Sequence, residues 1–236
     1  ATMWVSATVT TAGGVVALIL LPETRSIRPK LDVPSIEGNG PRLRTNRGLW
    51  VAASLQGINR FAGAGVLTAT MGLSVQDRLP SAGLILGVAT LTGALTAGGT
   101  LLSMVAAPLA GTVSDWLGSR LRVAAWGLGI GIISMALVAW GAPMAILAGI
   151  ALGAVAGGSV QALVTALTGD AVSQAQRGRA IGLLHTAGDL GSAIGPPGAY
   201  ALMPWIGLRG VYLLCAGLFA VGLALAMPFR PLQVAA

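Results

Sequence analysis

Seven long apolar runs, separated by polar connections that are mostly short, set the pattern of this sequence: residues 3–21, 49–73, 84–109, 123–140, 145–167, 180–206 and 211–227. Each has the length, roughly 17–25 residues and more when tilted, that a helix needs to cross about 30 Å of hydrocarbon. None alternates apolar and polar positions as a membrane β-barrel strand must. The pattern predicts seven transmembrane helices.

Composition narrows the class further. Hydrophobic residues make up 55% of the 236 and charged residues only 9%, whereas soluble domains carry about a quarter charged residues. The fold class expected is an all-α polytopic membrane protein. A net charge of +7 raises nucleic acid as a partner, but the cations lie in the connections rather than in one patch. Arg25, Arg28, Lys30, Arg42, Arg44, Arg47, Arg120, Arg122, Arg177, Arg179 and Arg230 occupy alternate connections and the tail; only Arg78 and Arg209 occupy the others. That asymmetry places the Arg-rich side, with the C-terminus, in the cytoplasm of a cell (inner or plasma) membrane. The lipid bilayer is the expected surrounding, and nucleic acid is not an expected partner.

The connections also give the organisation: a transmembrane helix at 1–21, a cytoplasmic loop rich in Pro, Gly and charge at 22–48, a six-helix block at 49–228 and a tail at 229–236. No basic residue precedes the first run, so it is not read as a signal peptide. Six spans divide into two triplets that start on opposite sides, the geometry of inverted repeats in secondary transporters. The single cysteine, Cys215, excludes an intrachain disulfide. One histidine and one cysteine far apart offer no metal site, and no phosphate-binding loop is present, so no cofactor is expected.

One connection stands out. Residues 108–123 read PLAGTVSDWLGSRLRV. Gly111, Asp115, Gly118 and Arg120 at this spacing resemble the Gly-x-x-x-Asp-(Arg)-x-Gly-x-Arg loop of the major facilitator superfamily. There it joins helices 2 and 3 and again helices 8 and 9. Trp116 stands where the family usually has arginine. The glycines are expected to permit a tight turn and close helix approach. Asp115 is expected to cap the following backbone or to pair with Arg120, a contact that opens and closes with the helices.

Three further segments extend the resemblance. LPETR (21–25) is similar to the end of the family's sixth helix, and GDAVSQAQRGRAIGL (169–183) resembles its loop between helices 10 and 11. GSAIGPPGAY (191–200) resembles in part the Gly-x-x-x-Gly-Pro signature of the antiporter branch. That signature belongs to helix 5, of which helix 11 is the pseudo-symmetric counterpart. The resemblance implies helix 6, the central loop and helices 7 to 12, a six-helix half-bundle with one preceding helix. An N-terminal six-helix half is then the missing partner.

Small residues at 145, 149, 153 and 157 make a smooth ridge suited to helix packing, as do Gly127 and Gly131. Gln161 and Thr165 continue that face and are candidates for solute contact. Thr92, Thr96 and Thr100 form a weakly polar stripe expected to bond to its own helix carbonyls.

Charge at membrane depth carries the functional reading. Arg60 sits inside the second run with Gln56 and Asn59 close by, and an arginine there costs at least about 2.5 kcal/mol unless it meets a partner or water. His185, Asp189 and Ser192 share one face of the sixth run. Arg60, Gln56, Asn59, Gln161, His185 and Asp189 are therefore the candidate solute and proton pathway. Asp189 is expected to carry or control the proton, unless it and Arg60 form a structural ion pair. Gly195, Pro196, Pro197 and Gly198 are expected to break the helix just beyond.

The function expected is secondary transport of a small solute by alternating access, not enzymatic catalysis. Coupling to protons and efflux of small organic molecules by antiport are favoured over symport. A non-transporting membrane sensor or assembly subunit is the alternative. An intramembrane protease, using Ser159 with His185 or Asp170 with Asp189, ranks below it, because Asp170 falls in a loop away from the depth of Asp189.

Overall fold

The computed structural model describes residues 8, 11, 12, 14–16, 43–78 and 87–227, apart from the side chain of Arg44. The chain divides into two compact units, Ala1–Asn39 and Gly40–Ala236. In the first, Thr8, Thr11, Ala12, Gly14, Val15 and Val16 are helical. The remainder of the first span, the LPETR segment, the linker as far as residue 42 and the tail with Arg230 lie outside the described residues.

In the second unit every long described element is a helix. A 3₁₀ turn, Leu43–Thr45, leads into α1 (Arg47–Arg60), which continues through a π-helical segment (Phe61–Leu67) into α2 (Thr68–Arg78). α3 (Val88–Trp116), α4 (Arg120–Trp140), α5 (Pro143–Ala171) and α6 (Arg177–Ala226) follow. These last four are the described helices long and apolar enough to cross a membrane.

Their ends follow local chemistry. Asn46 caps α1 by accepting from the Leu49 amide at 3.2 Å, and its amide nitrogen donates to the Ala171 carbonyl at 2.7 Å, tying the start of α1 to the end of α5. Ser119 caps α4 by accepting from the Arg122 amide. Gly141, at φ 83°, closes α4 in the left-handed conformation, and Pro143 opens α5 where its missing N–H is no loss.

α6 has 50 residues, about 75 Å if straight and more than twice the hydrocarbon thickness. It reverses at Gly207, whose φ of 66° and ψ of 173° leave the helical region. The contacts show the reversal. Gly188 lies on Gln56 and Gly195 on Gly65, so residues 177–206 run parallel to α1 and α2. Tyr212 bonds to Thr70 and Ser74 while Gly222 lies on Leu55 and Ile58, so residues 208–226 run back.

Glycine sets the spacing between these helices. A Cβ on Gly149 would lie 2.6 Å from Val138 Cγ2, and one on Gly153 would lie 2.8 Å from Ser134 Oγ. Gly149 and Gly153 of the ridge expected on α5 are thus pressed against α4, whereas Gly157 faces Asn59 of α1; Ser134 donates to the Gly149 carbonyl at 2.7 Å. Gly127 receives Val160 and Gly131 receives Phe219 in the same way. Leu55, Leu128, Met135, Val160, Leu184 and Phe219 fill the core.

The helix break expected at Gly195, Pro196, Pro197 and Gly198 is not there: α6 stays helical through all four, and its one non-helical residue is Gly207. A proline's φ is compatible with a helix, and what it removes is a hydrogen bond. The segment is held by α1's continuation, because a Cβ on Gly195 would lie 2.6 Å from Gly65 Cα. The irregular backbone sits on that neighbour instead, as the π segment containing Gly65.

Candidate functional site

Two groups of polar side chains emerge from this frame, one at membrane depth and one at a common end of the helices. The first begins on α1. Gln56 is fully buried, and neither its amide oxygen nor its amide nitrogen has a hydrogen-bond partner among the described residues. Arg60, one turn on and half-buried, has its Nε in the same condition. Both pack on Gly188 of α6: a Cβ there would lie 3.2 Å from Gln56 Cγ and 3.2 Å from Arg60 Cγ. Asn59 turns the other way and donates to the Gly157 carbonyl of α5 at 3.2 Å. Gln161, one turn further along α5, is half-buried, and its carbonyl accepts from Thr165 Oγ1 at 2.8 Å.

On α6 the buried Gly188 faces α1 and the buried Gly195 faces the π segment. His185, Thr186, Asp189, Leu190, Ala193, Ile194 and Pro197 form an exposed stripe. Asp189 lies twelve residues after Arg177, about 18 Å along the helix, near mid-span. Ser192 Oγ bonds to the Asp189 carbonyl at 3.0 Å. Gly188 therefore brings Arg60 next to Asp189 in sequence, but the two form no ion pair; among the described residues the ion pairs are Arg78–Asp77 and Arg120–Asp170. Thr92, Thr96 and Thr100 on α3 each donate to the carbonyl four residues back, as expected of that stripe.

The second group lies where α3, α4, α5 and α6 meet their connections. Gly118, at φ 62°, makes the turn after α3. Gly111, by contrast, lies within α3, and a Cβ there would meet nothing within 4 Å, so it serves no close approach. Asp115 is exposed and unpaired among the described residues, and the cap of α4 is Ser119. The partner expected for Arg120 was Asp115; instead Arg120 Nη1 meets Asp170 Oδ2 at 2.6 Å, at the end of α5. α3 and α5 run parallel, with Gly99 on Ala154 and Ser103 on Gly158, so Asp170 and the α3–α4 turn reach the same end. Arg177 adds a bond from Nη2 to the Gly169 carbonyl at 3.3 Å.

The order of these helices, this turn and these charges can be compared with known families. The family model of the Major Facilitator Superfamily matches residues 49–235. The chain belongs to the Major Facilitator Superfamily. No curated protein matches it.

As a Major Facilitator Superfamily member it is a secondary transporter and a multi-pass membrane protein, in contact with the bilayer and a small solute. One polar group of this superfamily member was not foreseen from its sequence. Tyr212, at 2% exposure, places its hydroxyl 2.8 Å from Thr70 Oγ1 and 2.6 Å from Ser74 Oγ. The signal available was the i, i+4 spacing of Thr70 and Ser74 inside an apolar run, which needs a polar partner when buried. The triad joins α2 to the returning arm of α6.

Proposed function

We propose that this chain forms the solute-facing half of a proton-coupled antiporter exporting small organic molecules, with Asp189 carrying or controlling the coupled proton and His185 and Arg60 tuning it. The observation that supports this reading is Asp189 itself: a carboxyl near mid-span, on a stripe that none of the described helices covers. A charged side chain at that depth is costly against lipid, by at least about 2.5 kcal/mol. A water-lined solute cavity is the environment that suits it. The unpaired atoms of Gln56 and Arg60 behind Gly188 supply further polar groups that a helix shift can expose. Leu190, Ala193 and Ile194 beside Asp189 suit a weakly polar organic solute better than a sugar.

In this reading a second six-helix half covers the Asp189 stripe. Arg47, Arg120, Arg122, Arg177 and Arg179 mark the cytoplasmic end, and the Arg120–Asp170 pair holds the helices together there in one of the two states. Asp115, on the same turn, changes partner as they separate.

Vesicles carrying the chain with its partner half, given ethidium and an imposed pH gradient, test the proposal. Gradient-driven dye accumulation that a protonophore abolishes is expected. Dye movement indifferent to the gradient would refute the coupling, and robust uptake by the chain alone as a monomer would refute the half-cavity.

A further inference from the structure

A groove of about 770 Å³ opens between α4 and the returning arm of α6, lined by residues that include Arg122, Trp126, Gly129, Ile133 and Leu223. Its size lies within the range of roughly 300–1,000 Å³ typical of ligand clefts, and its lining is apolar apart from Ser119 and Arg122.

Three observations say what fits it. Arg122, Trp126, Gly129 and Ile133 recur at helical spacing and form a single stripe along α4. From Arg122 to Ile133 the stripe rises about 16 Å, close to half the hydrocarbon thickness of about 30 Å, the depth of one leaflet. The cation stands at one end only. Arg122 is exposed, has no ion pair among the described residues, and lies in the first turn of α4, where the helix dipole is positive. No acid lines the groove; Asp115, the nearest in sequence, is not among its residues. Trp126, one turn deeper and 58% exposed, is the residue type that settles at the boundary between headgroup and hydrocarbon.

From this geometry we infer that the groove is a binding site for one anionic phospholipid, its phosphate at Arg122 and the start of α4, and one acyl chain lying along Trp126, Gly129 and Ile133. The ligand is a lipid rather than a free phosphate, because the apolar part of the groove extends a full leaflet below the charge. Arg122 is two residues from Arg120, so a lipid held here steadies the turn that bears the Arg120–Asp170 pair.

The test is native mass spectrometry of the full chain titrated with phosphatidylglycerol or phosphatidylcholine of matched chains. A single cation near an anionic surface corresponds to a preference of about fivefold. Wild type is expected to retain one phosphatidylglycerol with about that preference. Arg122→Gln should remove the preference while leaving phosphatidylcholine binding intact. Gly129→Phe, at a position where a Cβ meets nothing within 4 Å, should fill the groove and release both lipids without disturbing the fold. Arg209→Gln, at the opposite end, should change neither. An unaltered preference in Arg122→Gln, unaltered retention in Gly129→Phe, or full competition by soluble glycerol phosphate would each overturn the assignment.

Discussion

Arg120 Nη1 lies 2.6 Å from Asp170 Oδ2, joining the first residue of α4 to the last turn of α5 across fifty positions of sequence. Their side chains are 33% and 56% exposed, and an ion pair with that much solvent adds at most about 1 kcal/mol to stability. In the proposed mechanism the pair's role is to break easily as the helices separate. Arg120→Asp and Asp170→Arg should each slow transport while changing thermal stability little. The double swap should recover most of the turnover, because the attraction is restored with the charges exchanged. Turnover measured on all three variants decides the point: a swap no faster than the single substitutions would reduce the pair to a surface contact.

Gly195 and Gly198 make a matched comparison. A Cβ at Gly195 would lie 2.6 Å from Gly65 Cα and 3.0 Å from the Phe61 carbonyl oxygen, backbone that cannot rotate away, whereas at Gly198 the nearest atoms are 3.9 Å distant. Gly195→Ala is expected to destabilise by about 1–3 kcal/mol through overpacking, and Gly198→Ala by much less. Thermal unfolding in detergent should separate the two, and equal midpoints would show that the helices part freely here.

Tyr212→Phe keeps the ring and removes the hydroxyl shared with Thr70 and Ser74. Those two hydroxyls also donate to the Val66 and Thr70 carbonyls, at 2.8 and 3.2 Å, so neither is stranded. The expected cost is therefore near the lower end for a lost buried hydrogen bond, about 1 kcal/mol. Unfolding measurements showing no loss would mean that the triad contributes nothing to joining α2 with the returning arm of α6.

The all-α, membrane-spanning class was legible in the sequence because length and apolarity alone decide what crosses a bilayer. The family was legible because glycine, aspartate and arginine recur at fixed spacing in a short turn. Three features were not. Asp115 was expected to cap the following backbone or to pair with Arg120, but the parallel course of α3 and α5 brings Asp170 to the same end as Arg120. Consecutive prolines read as a break, whereas their helix persists against Gly65 and the irregularity passes to the π segment. The alternative of a structural Arg60–Asp189 ion pair could not be decided from depth alone; it is absent, because Arg60 packs on Gly188 at the buried face of α6 while Asp189 is exposed. Each difference is a matter of which helix faces which, and the apolar period of a single helix does not encode its neighbour.

The most direct test of the proposed mechanism is transport by the complete transporter bearing Asp189→Asn, under an imposed pH gradient and, separately, as exchange of solute across the membrane without one. If Asp189 carries the coupled proton, the variant should lose gradient-driven accumulation and retain solute exchange. Accumulation equal to that of the unaltered protein would contradict the account.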